Sequence, residues 1–171
     1  LKQFGNPKPR IFRLEDDGAL INRLGFNNDG MEIIKNRIKS EGKKGILGIN
    51  IGPNKTTKDQ KKDFCLGLEN FFDIADYITV NISSPNTEGL RDFHNQEKLQ
   101  DLLFALNKIK KDNKTNIPLL LKVSPDIQDN HIFEIADVAT RSDISAIILT
   151  NTTDGNRDNL VSKIKKEEGG L

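Results

Sequence analysis

The stretch ITVNISSPNTEGL, residues 78–90, sets Asn81, Ser83, Ser84, Asn86 and Thr87 within seven positions of one another, at the end of an apolar run. A turn needs one or two such side chains. Five amides and hydroxyls together can donate to and accept from a small polar ligand, and a hydroxyl among them can relay a proton. The same chemistry recurs elsewhere in the chain. Asn50 stands near the end of GILGINI (45–51), Lys122 near the end of IPLLLKV (117–123), and Thr150 closes ISAIILT (144–150), followed by Asn151, Thr152 and Thr153. Any one asparagine at a strand end is as readily a turn former. A lysine inside LLLKV is different, because burying an ammonium without an acceptor is costly. Neutral amides with one cation suit a heterocycle that presents donors and acceptors and takes on negative charge.

These groups can meet only if the segments that carry them run the same way. Four short, nearly continuous apolar runs read as strands, at 45–51, 76–82, 117–123 and 144–150. Each resembles a parallel strand covered on both faces. Amphipathic patterns precede and separate them. Met31, Ile34 and Ile38 mark one helix. Phe64, Leu68, Phe71 and Phe72 mark a second, with Thr57 and Gln60 at capping-box spacing. Leu99, Leu102, Leu103, Leu106 and Ile109 give a third, and Ile132, Ile135, Ala136 and Ala139 a fourth. Strand and helix in alternation predict βαβ units and a parallel sheet. Parallel strands bring their C-terminal ends to one face, so the polar strand ends should converge on one site. Ahead of this, GNPKPRIFRL (5–14) reads as an extended basic segment or irregular hairpin, and NRLGFNNDG (22–30) as a loop.

Composition narrows the function classes. The 171 residues carry 26 Lys+Arg against 25 Asp+Glu, so no basic excess argues for nucleic acid. No apolar run approaches the roughly 20 residues needed to span a bilayer. A single cysteine, Cys65, rules out an internal disulfide, and His94 and His131 lie too far apart to suggest a zinc site; no metal is expected. His94 reads as a surface loop residue and His131 as an exposed helix start. KIKKEEGG (163–170) reads as a charged surface loop.

FGNPKPRIFRL, INRLGFNNDG, LGINIGPNK, VNISSPNTEGLR, LLLKVSPD and ILTNTT follow one another in this order. Together they closely resemble class 2, quinone-dependent dihydroorotate dehydrogenase, over nearly the whole chain. The resemblance implies an α/β fold, a (β/α)8 TIM-type barrel of which this chain holds about half. It implies FMN at the C-terminal face of the strands, and oxidation of dihydroorotate to orotate in pyrimidine synthesis with a quinone as acceptor. Ser84 matches the family's base, which takes a proton from substrate C5 while the C6 hydride goes to flavin N5. A cysteine there would point to class 1. Thr87 and Phe26 match positions that support the proton path. Asn22, Asn81, Asn86, Asn151 and Thr152 match residues that bind the orotate carboxylate and ring, and Asn22, Arg23, Leu24, Gly25 and Phe26 form a run at the substrate site. Asn50, Asn81, Lys122 and Thr150 match FMN contacts. A cation at Lys122 suits the negative charge that a reduced flavin carries.

Serine is a weak base on its own and needs a partner to carry the proton onward. No histidine adjoins Ser84, Glu88 is the nearby carboxylate, and no G-x-S-x-G elbow is present. A hydroxyl and water relay through Thr87 therefore fits better than a Ser–His–Asp hydrolase. The resemblance also implies that a Gly-rich loop upstream and phosphate-binding loops downstream lie outside residues 1–171. The chain is accordingly expected to be a partial catalytic domain that binds FMN weakly, or not at all, by itself. Peripheral membrane contact, on the cytoplasmic side or at an inner membrane, is implied for the parent protein. The alternatives are an inactive remnant of a split or decayed gene, and a related FMN barrel such as a class 1 or dihydropyrimidine dehydrogenase-like enzyme.

Overall fold

The computed structural model describes residues 2–84 and 89–171. Four parallel strands form one sheet: β3 (Gly48–Ile51), β4 (Tyr77–Asn81), β5 (Leu119–Lys122) and β6 (Ala146–Ile148), hydrogen-bonded in that order. The helices α2 (Gln60–Phe71), α3 (Gln96–Asp112) and α4 (Asp129–Arg141) connect them, and α1 (Met31–Glu41) precedes β3. Sequential neighbours in a parallel sheet, each joined by a helix, are the repeat of a (β/α)8 barrel. All four strands predicted from the apolar runs form, each two to four residues shorter than its run, because residues at the run's start, and in β4, β5 and β6 also at its end, serve as connection.

Alternation along the strands divides them into two faces. Ile78, Val80, Leu119 and Leu121 point into the core shared with α2 and α3, where Phe64, Leu68, Leu99, Leu102, Leu103 and Leu106 are fully buried. Phe64 meets Phe93 edge to face, with ring centroids 5.7 Å apart. Truncating any of these leucines would cost about 2–5 kcal/mol in a core of this kind.

Several local expectations shift. The capping box expected from Thr57 and Gln60 does not form. Asp59 caps α2 instead, accepting from the Lys62 N–H at 2.9 Å, and Thr57 Oγ1 accepts from the Asp59 N–H. The Asp59 carboxylate, directly before the helix start, reaches the free N–H groups of the first turn, while Thr57 lies three residues before it. In α4 the buried stripe is Ile135, Val138 and Ala139, while Ile132 and Ala136 are exposed, as is Phe133 at 79%. The helix is turned slightly from the predicted face by its packing on α3. The segment before α1 is a true hairpin: β1 (Ile11–Leu14) pairs antiparallel with β2 (Ala19–Asn22) through a 3-10 turn that Gly18 closes in the left-handed region.

His94 is buried at 6% exposure, not a surface residue as expected. The turn Leu90–His94 tucks it beneath the end of β4, where its Nε2 has no hydrogen-bond partner among the described residues. Burial pushes the imidazole below its ordinary 6.5; the backbone of Ile82 partly offsets this, and the charge of Arg91 adds to it. The fold thus favours neutral His94. Its contribution to stability is complete above pH 6.5 and is lost as pH falls below that value through the folded pKa. Thermal melts at pH 8 and pH 5 should show a drop that His94→Gln reduces; equal slopes in the two proteins would refute it.

Candidate active site at the C-terminal edge of the sheet

Register brings the polar strand ends together. Asn81 on β4 pairs directly with Lys122 on β5, and Lys122 with Ile148 on β6. Asn50 on β3 pairs with Thr79, one inward-facing position before Asn81. Asn50, Thr79, Asn81 and Lys122 therefore share the face opposite the helices. Among the described residues Lys122 has no ion pair and no side-chain hydrogen bond, although it is only partly exposed. An ammonium held that way on a sheet face is a ready partner for an acceptor.

The ends of β4 and β6 are tied by side chains. Asn81 Oδ1 accepts from the Ser83 N–H at 3.1 Å and from Ser83 Oγ at 2.5 Å. Asn151 Nδ2 donates to Ser83 Oγ at 2.7 Å, while Asn151 Oδ1 accepts from the Thr152 N–H at 2.8 Å. Ser84, the next residue, is also buried. Thr150 Oγ1 donates to the Asn151 carbonyl. Asn86 and Thr87 lie outside the described residues.

The expected substrate run on the N-terminal hairpin reaches this edge through residues 169–171. Asn22 exchanges backbone hydrogen bonds with Gly170 at 2.9 and 2.8 Å, and Thr153 exchanges two with Leu171 at 3.1 and 2.8 Å. A Cβ on Gly170 would collide with the Thr152 side chain, so only glycine lets the two approach. Asn22 and Thr152, 130 residues apart in sequence, thereby flank one short strap. Arg23 is placed differently from its neighbours. Its guanidinium pairs with Glu167 at 3.0 Å and lies over the Phe12 ring at 4.5 Å, so its side chain serves the strap. Leu24 and Gly25 continue the loop, anchored by the Asn6 N–H on the Leu24 carbonyl at 3.0 Å. Phe26 adopts φ +52° and, with Asn50, Met31, Ile34 and Ile49, lines a hollow of about 740 Å³ beside the free edge of β3.

A second network, absent from the sequence expectations, knits the loops behind this edge. Arg91 donates to Asp126 at 3.0 Å and to Asp154 at 2.9 Å, and Asp126 also accepts from the Thr153 hydroxyl and the Asp154 N–H. Burial pushes the Asp126 carboxyl up, but the hydrogen bonds from Asp154 and Thr153 and the charge of Arg91 outweigh it and hold it down at about 2. Arg91 and Asp126 sit inside the motifs VNISSPNTEGLR and LLLKVSPD, which was the available signal; their pairing depends on loops that meet only in the fold. Ser83 was visible in the same way, as one of five clustered amides and hydroxyls. Among the described residues no group of three or more His, Cys, Asp or Glu could hold a metal ion.

Fold and site define about half of a parallel α/β barrel with a polar C-terminal edge. The family model described as dihydroorotate dehydrogenase matches residues 1–171, and the chain belongs to that family. It is 45% identical to a dihydroorotate dehydrogenase (quinone) of Bartonella tribocorum, over 99% of this chain and 48% of the relative. It is 43% identical to a mitochondrial dihydroorotate dehydrogenase (quinone) of Cyclocybe aegerita, over 99% and 53%. A crystal structure of DHODH from Eimeria tenella in complex with ferulenol superposes with a TM-score of 0.92 at 34% identity, covering 99% of this chain and 52% of that one. The chain thus spans about half the length of the relatives it matches, and its fold is a partial TIM barrel.

Proposed function

We propose that the full-length protein oxidises dihydroorotate to orotate and passes the electrons to a quinone, with residues 1–171 supplying part of the catalytic domain. The observation that carries this reading is the pairing of Asn81 with Lys122 beside the Asn81–Ser83–Asn151 chain. That edge offers N–H donors and a cation to a planar, oxygen-rich ligand. The donor set fits FMN: Asn50, Asn81, Lys122 and Thr150 would hold it. When bound, FMN supplies the acceptor for the hydride leaving substrate C6. Asn22, the run Arg23–Phe26, Asn81, Asn86, Asn151 and Thr152 bind the carboxylate and ring. Ser84 takes the C5 proton, and Thr87 and Phe26 support its exit. Lys122 brings positive charge to a site that must accommodate developing negative charge. Serine rather than cysteine at position 84, and the quinone in the relatives' names, favour the quinone-dependent class. Peripheral membrane contact of the full-length protein belongs to this same reading, since a quinone is lipid-soluble.

The test is turnover of the full-length protein, loaded with FMN, on dihydroorotate with a quinone analogue as acceptor. Orotate formation matched by quinone reduction is expected; a flavin-loaded protein that forms no orotate would exclude the reading. In the same preparation Lys122→Ala should weaken FMN affinity about tenfold or more, the scale of losing one charge-assisted hydrogen bond. Flavin fluorescence during titration reads this directly, and unchanged affinity would remove Lys122 from the flavin site.

A further inference from the structure

We propose that Ser83 is a positioning residue that decides which end of each site asparagine faces the ligand. The inference rests on the reading of Asn81 and Asn151 as ligand-holding residues given above. Two backbone N–H groups, which can only donate, fix the amides: Ser83 N–H must meet the oxygen of Asn81, and Thr152 N–H the oxygen of Asn151. The Ser83 hydroxyl, fully buried at 0% exposure, then has one arrangement. It gives its hydrogen to Asn81 Oδ1 at 2.5 Å and takes one from Asn151 Nδ2 at 2.7 Å.

The direction of this chain has a consequence for recognition. Asn81 Oδ1 receives two hydrogen bonds and is filled. Its Nδ2 has no partner among the described residues. Asn151 spends one N–H on Ser83 and, among the described residues, keeps the other. Both asparagines therefore turn N–H groups toward the ligand, and the site selects acceptor oxygens, carboxylate or ring carbonyl, over donors. Hydrogen bonds in series also polarise one another, so the outward N–H of Asn151 and the filled oxygen of Asn81 are coupled through a group that itself touches no ligand. Removing the hydroxyl leaves a donor of Asn151 unpaired, frees a lone pair on Asn81 and unties the end of β6 from that of β4.

The experiment uses the full-length, FMN-loaded protein. Orotate binding by calorimetry and steady-state kinetics on dihydroorotate are compared for wild type, Ser83→Ala, Asn151→Ala and the double variant. Ser83→Ala should raise the orotate Kd and the dihydroorotate KM roughly tenfold, with kcat changed less than about threefold. In the Asn151→Ala background the same substitution should add little, because its effect runs through that amide. Orotate affinity within twofold of wild type, or losses that simply add, would overturn the proposal. Should Ser83→Ala not fold, Ser83→Cys fills the same space with a weakly bonding thiol and should reproduce the affinity loss; unfolding of both variants would reduce Ser83 to a structural role and overturn the proposal as well. Wild-type protein that binds no orotate would instead sink the functional reading on which the inference depends.

Discussion

Replacing Ser84 by alanine in the full-length protein is expected to lower the rate of flavin reduction by dihydroorotate by about 10²–10⁴, the usual worth of a placed general base. Orotate affinity should stay within a few-fold of wild type. The reasons lie in the surroundings of the residue. Ser84 is buried and follows directly on Ser83, which is locked between two asparagines. Its position is therefore fixed by the end of β4 rather than by a free loop. Among the described residues no histidine stands ready to replace it: His94 lies beneath the strand end, with its Nε2 unpartnered. Single-turnover reduction, followed by flavin absorbance under anaerobic conditions, separates this step from quinone chemistry. A variant that reduces its flavin within about fivefold of wild type would assign the base to another group.

The second large effect is expected at Gly169. This residue adopts φ +131°, where side chains are strained, and a Cβ there would strike the backbone carbonyl of Asn22, with the carbonyl carbon at 2.7 Å. Backbone cannot give way as a flexible side chain can. Strained φ and overpacking together cost on the order of 2–5 kcal/mol. Gly169→Ala should lower the midpoint of thermal unfolding by several degrees. It should also raise the dihydroorotate KM by about tenfold or more, because the strap that it distorts spaces Asn22 from Thr152. Gly18 is a fair control: it too has positive φ, at +57°, but a Cβ there meets nothing within 4 Å. Gly18→Ala should cost only about 1 kcal/mol and leave KM unchanged. Equal behaviour of the two variants would show that the strap does not organise the site.

Much of the fold was legible because its signals are local. Apolar runs of strand length, separated by helical stripes, imply parallel βαβ units whatever the rest of the chain does. The alternation correctly places Asn50, Asn81 and Lys122 at the C-terminal ends of three neighbouring strands. Misplacements occurred where neighbours compete. The choice of Asp59 over Thr57 as cap turns on which side chain reaches the first-turn N–H groups. The burial of His94 turns on a 3-10 turn packing under β4, which no periodicity announces.

By itself, then, the sequence determined the order of strands and helices, the polar type of each strand end and the family motifs, since these reside in residues a few positions apart. Tertiary structure alone decided the rest. Pairing of Asn81 with Lys122 is a matter of register between strands 41 residues apart. The Ser83 bridge depends on two loops meeting, and KIKKEEGG, which read as a charged surface loop, ends in a strap because Gly169 and Gly170 permit backbone approaches that any side chain would block. Such contacts carry no local signal: they exist only when distant segments share a surface, and their chemistry is set by which donor is left to face which acceptor there.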